Sequence, residues 1–517
     1  MARSYDKQAR ARARAEKTPE KHVAPVSTVS GDLAGAPGAA DLYRTLFVGT
    51  LVQESALTVG GGDAFGYVDE LLCRDGDGRF TLRGSGLAGA LVATARRLYA
   101  DADLQRISLA PTTAAEDAVL PDSLWRVFTS HPDGSDIRPE LRPGVGIRQD
   151  TSAARDGALF DSEVLPRGTK WSFYLEVKTG KAGGTTAEGI ALAALREWEQ
   201  GFCWVGANVA RGLGWMRLTG LKIYRLKKLR EHVDLWPNSR LPLPAALAKL
   251  GGVAPPFTAA KADGYGIVIP PLTAEWYYQD IAGQVQVGNR RDGYGLDGLS
   301  VGGHSTAVIG LPWDKEHLLW PDGAKPPGDA DQFDPDAAIA LTRSGDEHWE
   351  PLIPGSSLRG PLRHALSRHL RACGVPGVRD PLVQARRKAG EPADPVEDLF
   401  GSLDQGAALL VRDAYVDGAW RGAWLQQHAE DEFSSGAFGS AKFDRMALLT
   451  GCFRWRLMVQ GATPADLDRR VRTIKIALNY GQKGFLGLGG QQWRGLGWCQ
   501  WVVDRNVQRR AGDGGLT

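Results

Sequence analysis

Gly206-Ala207-Asn208-Val209-Ala210-Arg211-Gly212-Leu213-Gly214-Trp215 and Gly489-Gly490-Gln491-Gln492-Trp493-Arg494-Gly495-Leu496-Gly497-Trp498 align without a gap, and both end in Arg-Gly-Leu-Gly-Trp. Glycine at such density lets a backbone turn sharply or approach another group closely. Met twice, the string marks a repeated unit. Outward from it, Gly84-Ser85-Gly86-Leu87-Ala88-Gly89-Ala90-Leu91 answers Gly355-Ser356-Ser357-Leu358-Arg359-Gly360-Pro361-Leu362, and Phe128-Thr129-Ser130 answers Phe400-Gly401-Ser402. Phe160-Asp161 followed by Leu165 and Gly168 answers Phe443-Asp444 followed by Leu448 and Gly451. These matches keep their order with one change of spacing, which a tandem duplication explains and chance does not.

Each half reads as βαββαβ. Residues 42–55 mix apolar and polar positions as a strand does, and Ser85 opens a segment with Leu87, Leu91 and Ala95 at helical spacing. Trp171, Phe173, Leu175 and Val177 alternate, as do Phe453, Trp455, Leu457 and Val459, the pattern of half-buried strands. Helix-start signals follow: Thr185 with Glu188 ahead of Ile190, Ala194, Leu195 and Trp198, and Thr463-Pro464-Ala465-Asp466 ahead of Leu467, Val471, Ile474 and Leu478. With intervening strands such as 409–416, the expected class is α+β, two tandem ferredoxin-like or RRM-like domains. The expected boundaries are a basic disordered tail at 1–40, a first domain at 41–225 and a linker at 226–265. A second domain follows at 266–505, with a Gly/Asp/Pro-rich insertion around 285–332, and a tail at 506–517.

Composition narrows the function. A chain of 517 residues exceeds one ordinary core, in keeping with two domains. No apolar run approaches the roughly 18 residues of a membrane span, and no apolar segment follows the basic N-terminus, so a cytoplasmic protein is expected. The five cysteines form no CxxC pair, which points to core residues rather than a zinc ribbon. The formal net charge of +2 leaves room for a local phosphate-binding stripe, because charges beyond about 8 Å are largely screened at physiological salt.

Two motifs carry chemistry. Small residues open a helix at Gly84-Ser85-Gly86 and at Gly355-Ser356-Ser357, where free amides and the helix dipole favour a phosphate and Arg359 and Arg363 would reinforce it. An ordinary capped helix is the other reading. The Arg-Gly-Leu-Gly-Trp loops, through Gly212, Gly214, Gly495 and Gly497, let a backbone pass close to a polymer. Arg211 or Arg494 would then reach phosphate, and Trp215 or Trp498 would stack or pack. A tight turn with a core tryptophan is the alternative. Neither string is a Walker A or dinucleotide fingerprint. His364 and His369, on a helix with Arg363, Arg368 and Arg371, are not spaced as a metal pair.

Ile353-Pro354-Gly355-Ser356-Ser357-Leu358-Arg359-Gly360-Pro361-Leu362-Arg363, Asp398-Leu399-Phe400-Gly401-Ser402 and the terminal Arg-Gly-Leu-Gly loop together resemble the RAMP superfamily of CRISPR-associated proteins. Gly60-Gly61-Gly62-Asp63-Ala64-Phe65 through Val68-Asp69-Glu70-Leu71-Leu72-Cys73-Arg74-Asp75 resembles the start of type III effector backbone subunits, and two such modules resemble the tandem-fused subunit of a type III-D variant. The resemblance implies an antiviral, cytoplasmic ribonucleoprotein in which RRM-like palms hold the backbone of a guide RNA (crRNA). From each palm a β-hairpin thumb displaces nucleotides of the guide–target duplex. By similarity the thumbs are 150–168, bearing Phe160, and about 429–451, bearing Phe443.

By the same resemblance the catalytic residues are Asp69 and its counterpart Asp336, which cleave complementary target RNA through the RNA's own 2'-OH with a divalent metal, Mg2+ or Mn2+. The implied partners are crRNA, target RNA, a large subunit, fused and single RAMP backbone subunits and small subunits. Two alternatives stay open: a non-catalytic crRNA-binding scaffold, and a RAMP nuclease that processes guide RNA.

Overall fold

The alternating run from Trp171 to Val177 forms an inner strand of the first half's sheet. In chain order this half contains β1 (Arg44–Gln53), α1 (Gly84–Leu98), β2 (Trp125–Val127), β3 (Glu140–Ile147), β4 (Ala154–Val164), β5 (Lys170–Val177), α2 (Gly184–Glu199) and β6 (Trp215–Leu226). β5 lies antiparallel between β2 and β1, with Phe47 opposite Leu175 and Leu51 opposite Trp171, and β6 flanks β1 on its other side. Both helices cover one face, where Leu87, Leu91, Leu195 and Trp198 pack with Phe47, Leu51 and Phe173. This computed structural model describes residues 42–61, 70–107, 123–134, 137–148, 154–229, 266–288, 302–303, 318–319, 338–343, 349–379, 394–430, 433–434, 437–490, 492, 495–504 and 509–510. The N-terminal tail, most of the expected linker and insertion, and Asp69, Asp336 and Arg494 lie outside the described residues.

The second half repeats the order with β7 (Tyr277–Val287), α3 (Gly355–Ala372), β8 (Leu409–Val411), β9 (Ala414–Val416), β10 (Arg421–Glu430), β11 (Ala437–Gly461), α4 (Pro464–Gln482) and β12 (Cys499–Val503). β11 pairs with β7 on one side and with β8 and β9 on the other, and β12 lies beyond β7. The Gly-rich loops are structural equivalents. Val205 N–H donates to Gly214 O at 2.9 Å, and Leu488 N–H donates to Gly497 O at 2.8 Å. Both glycines have positive φ, and a Cβ at either would fall well inside van der Waals contact with a carbonyl oxygen: 2.0 Å from Val205 O at Gly214 and 2.2 Å from Leu488 O at Gly497. Side-chain-bearing residues are excluded there on both counts.

Several expectations need correction. The Thr185–Glu188 capping box does not form, because Gly183 caps α2 in a left-handed conformation and the buried Glu188 accepts from Thr45 Oγ1 and Arg225. Thr463 does cap α4, its hydroxyl accepting from Asp466 N–H at 3.1 Å. Phe128-Thr129-Ser130 follows strand β2, whereas Phe400 ends the short helix Pro395–Phe400, so these triplets are not equivalent. The equivalent of Thr129 is Asp413: Thr129 Oγ1 accepts from Gly84 N–H, and Asp413 Oδ1 from Gly355 N–H, each at the first residue of its helix.

The hairpins expected as thumbs begin earlier than the sequence indicates. The first hairpin is β3 with β4, and the second is β10 with the first part of β11, so 150–168 and 429–451 each capture essentially one strand of two. In the first half the chain turns between β4 and β5 at Pro166 and Gly168, the latter at φ 88°. Proline cannot donate to a ladder. The second half has no proline between Leu448 and Gly451, and β11 runs unbroken from thumb to palm. Residues beyond the expected domain boundary at 266 pack backwards: Ile267 and Ile269 join the first core, and Thr273 N–H donates to Leu98 O. The second sheet starts at Tyr277.

Asp398, from the Asp-Leu-Phe-Gly-Ser string, is structural. Arg470 binds it through Nη2 at 2.5 Å and Nε at 2.9 Å, tying the short helix to α4. The Arg470 hydrogen bond holds its carboxyl below the ordinary value of 3.8, against the opposing effect of burial. A depressed carboxylate stabilises the fold above its unfolded pKa and loses that contribution as pH falls through the folded one. Asp398→Asn is therefore expected to cost about 1–2 kcal/mol at pH 7, with the difference from the parent vanishing in urea titrations run below the folded-state pKa.

Candidate nucleic-acid interface

The first half's Gly-rich loop docks on the start of the second half's first helix. A Cβ at Gly355 would meet Val411 O at 2.6 Å, Arg211 O at 2.7 Å and Gly212 Cα at 2.8 Å, so only glycine fits where the two halves meet. Arg211, Gly212, Gly355, Arg359 and Arg363, read from motifs in different halves, thus belong to one place. Around it lies an apolar seam in which Phe202 and Trp215 pack against Tyr278, Leu410 and Met458. Trp215 is a core residue with no solvent exposure, its Nε1 donating to Val209 O, and is unavailable for stacking on a base; Trp498 is exposed.

Electrostatics distinguish this seam. The Arg359 pKa is pushed down to about 10, first by burial and then by the charges of Arg363 and Arg211. Arg363 is lowered by burial as well; Glu397 and Asp394 oppose the shift, and Arg211 adds to it. His364 is lowered by burial and by Arg363 and Arg368. Among the described residues Arg211 and Arg363 form no ion pair, while Arg359 donates to Phe400 O with its guanidinium 5.4 Å from that ring. Cations that repel one another in a partly desolvated site are relieved by a bound anion.

The helix starts themselves differ. In α3 the buried Asp413 carboxylate already takes the Gly355 amide at 2.7 Å, so the anion expected at this end of the helix is supplied by the protein. Ser356 is exposed and Ser357 half-buried. In α1 the Gly84 amide has only the neutral Thr129 hydroxyl at 3.3 Å, and Ser85 and Gly86 are exposed behind the exposed Arg83. Gly495 is open, with nothing near the position of a Cβ.

The first hairpin, β3 with β4, stands beside this seam. On β3, Glu140 and Arg142 face the second half, whereas Leu141, Val145 and Ile147 expose apolar side chains on the other face. Phe160 on β4 covers Gly144 across the pair. Of Phe443 the structure describes the backbone, on β11 opposite Gln427. Glu70 is pinned to the foot of β4: its N–H donates to Asp161 O, its C=O accepts from Glu163 N–H, and its carboxylate accepts from Ser162 Oγ. Glu163 in turn binds Leu72 N–H and Arg74. In the second half, Ile339 is buried in the core, and Ala340 O accepts from Leu352 N–H.

The RAMP superfamily model matches residues 51–217 and 341–500, one match in each half. The chain belongs to the RAMP superfamily. A stretch of 171 residues, 30% of this RAMP protein, is 25% identical to the CRISPR system Cms endoribonuclease Csm3 of Enterococcus italicus and covers 72% of that relative. Among the described residues no helix is long and apolar enough to cross a membrane. Sequence reasoning missed Asp413, Arg142, Glu140 and the apolar face of β3. Only the alternation of Leu141, Val145 and Ile147 could have been read, and Pro143, Gly144 and Gly146 obscure it.

If the seam holds RNA phosphates, Arg211→Gln and Arg363→Gln should each flatten the slope of log affinity against log salt by about 0.7 for a single-stranded guide. Filter binding across a salt series reads the slope, and unchanged slopes would exclude these side chains from phosphate contact.

Proposed function

We propose that this tandem RAMP protein is the fused backbone subunit of a type III CRISPR effector complex, of the III-D variant kind, which holds crRNA and cleaves complementary target RNA. The observation that carries the RNA-binding part is the under-compensated cluster of Arg211, Arg359 and Arg363 at the seam between modules. Two palms joined at one cationic seam, each with a hairpin beside it, suit a duplex gripped through its backbone and interrupted at intervals. Recognition of backbone geometry leaves sequence to base pairing.

Asp69 is the proposed catalytic residue of the first module and Asp336 of the second. Glu70, one peptide bond beyond Asp69, is held against the thumb strand at Asp161–Glu163, which supports a role for Asp69 at a nucleotide turned out by the thumb. In the proposed reaction the 2'-OH oxygen attacks the adjacent phosphorus and the P–O5' bond breaks. The 2'-OH proton is lost to a base, the O5' leaving group takes up a proton, and the products are a 2',3'-cyclic phosphate and a 5'-hydroxyl. Holding the nucleophile in line can supply about 7–11 kcal/mol of the barrier, more than a general base contributes. A divalent cation, Mg2+ or Mn2+, would add charge stabilisation at the phosphate. Among the described residues no set of three His, Cys, Asp or Glu side chains could cage one; in the proposed site RNA phosphates and water would complete the ion's shell, as they commonly do for magnesium.

The proposed partners are crRNA, target RNA, a large subunit, fused and single RAMP backbone subunits and small subunits, in the cytoplasm. In the assembled complex, Asp69→Ala should slow the cut served by the first module by about 10²–10⁴-fold and Asp336→Ala the other, with guide binding retained. Gel analysis of labelled target reads both. Cleavage that survives the double variant would make the chain a scaffold, and cleavage of repeat RNA without target would make it a processing nuclease.

A further inference from the structure

Asp413 touches three segments at once. Its side chain has no solvent exposure. It accepts from Gly355 N–H at 2.7 Å, at the start of the helix bearing Arg359 and Arg363, and from Arg142 Nη1 at 2.5 Å, on the first thumb's β3. The third segment is the Gly-rich loop: a Cβ at Gly212, whose φ is 110°, would stand 2.1 Å from Asp413 Oδ1. A second brace runs parallel, since Glu140, two residues before Arg142, accepts from Arg343 N–H at 2.8 Å and Thr342 Oγ1 at 3.1 Å. Residues 140 and 142 lie on one face of the strand, and both are anchored in the second module. The opposite face, with Leu141, Val145 and Ile147, is thereby held outward at a fixed angle to the arginine cluster.

Such an arrangement is costly to disturb, because a buried charge left without its partner loses more than the pair contributes. Two alternate strand faces with opposite duties also mean that a small roll of β3 would swing the apolar side chains away from their present direction.

We propose that Asp413 is a positioning residue that locks the first module's thumb to the second module's guide-gripping helix, so that where the first thumb parts the duplex is set by the second module. The inference rests on the functional reading above. Asp413 touches no RNA; it acts through Arg142 and Gly355.

The test uses the full chain, alone and in the assembled complex, with Asp413→Asn, Arg142→Met and Arg142→Lys. Asparagine still accepts from Gly355 N–H but removes the charge facing Arg142. Hydrogen exchange on the chain alone should show β3 amides exchanging at least about tenfold faster in Asp413→Asn and Arg142→Met, with β10 and the first part of β11 unchanged. In the complex, the first-module cut should fall by about a hundredfold or spread to neighbouring phosphodiesters, as expected for a misplacement near 1 Å. The second-module cut and the guide affinity should hold, and Arg142→Lys should restore the cut position. Unchanged β3 exchange would overturn the proposal, as would loss of both cuts and guide binding together, which signals general unfolding. If the parent complex neither bound guide nor cut, the proposed function would fall, and the exchange result would still decide whether Asp413 holds the hairpin.

Discussion

A carboxylate sealed from water must find its partners within the protein, and Asp413 finds them in both halves of the chain: an arginine from the first thumb and the leading amide of the second module's helix. Burial alone would lower the pKa of Arg142, yet Asp413 beside it, together with Tyr415 and Glu140, outweighs that and holds it above its ordinary value. Once that ion pair is in place, other residues have little choice. Position 212 must be glycine because the carboxylate lies where a Cβ would go, and position 355 must be glycine because two backbone segments converge on it. Two motifs that look like nucleic-acid loops in the sequence are, at this seam, also the means by which one module is fitted to the next.

What remains after Asp413 has neutralised Arg142 and the helix start is a surplus of positive charge. Arg211, Arg359 and Arg363 repel one another across the seam, and burial of Arg359 and Arg363 deepens the cost. A polyanion threading past would relieve it, which makes the seam more than a joint. The first module offers a different surface: exposed Ser85 and Gly86, a hydroxyl cap at Thr129 and no arginine one turn up the helix. Duplication produced two palms with one fold and unequal electrostatics.

The repeat and the βαββαβ order were legible because they rest on local signals: the alternation from Trp171 to Val177, the cap at Thr463, the twice-met Arg-Gly-Leu-Gly-Trp. Thr185 misled because a glycine one residue before the helix took the capping geometry, and the thumbs were half seen because Pro143, Gly144 and Gly146 read as loop until Phe160 covers Gly144 from the facing strand. The Arg142–Asp413 pair spans a separation of 271 residues, and nothing in either neighbourhood announces it. Contacts that join modules are set by tertiary fit, which local pattern does not encode.

The central claim, that RNA runs across a composite cationic seam shared by the two RAMP modules, is tested most directly by photocrosslinking a 4-thiouridine-substituted guide to the assembled complex and identifying the attached peptides. Crosslinks are expected from neighbouring guide nucleotides to both the peptide containing Arg211 and the peptide containing Arg359 and Arg363. Crosslinks that reach neither, or that leave the seam inaccessible while guide remains bound, would contradict it.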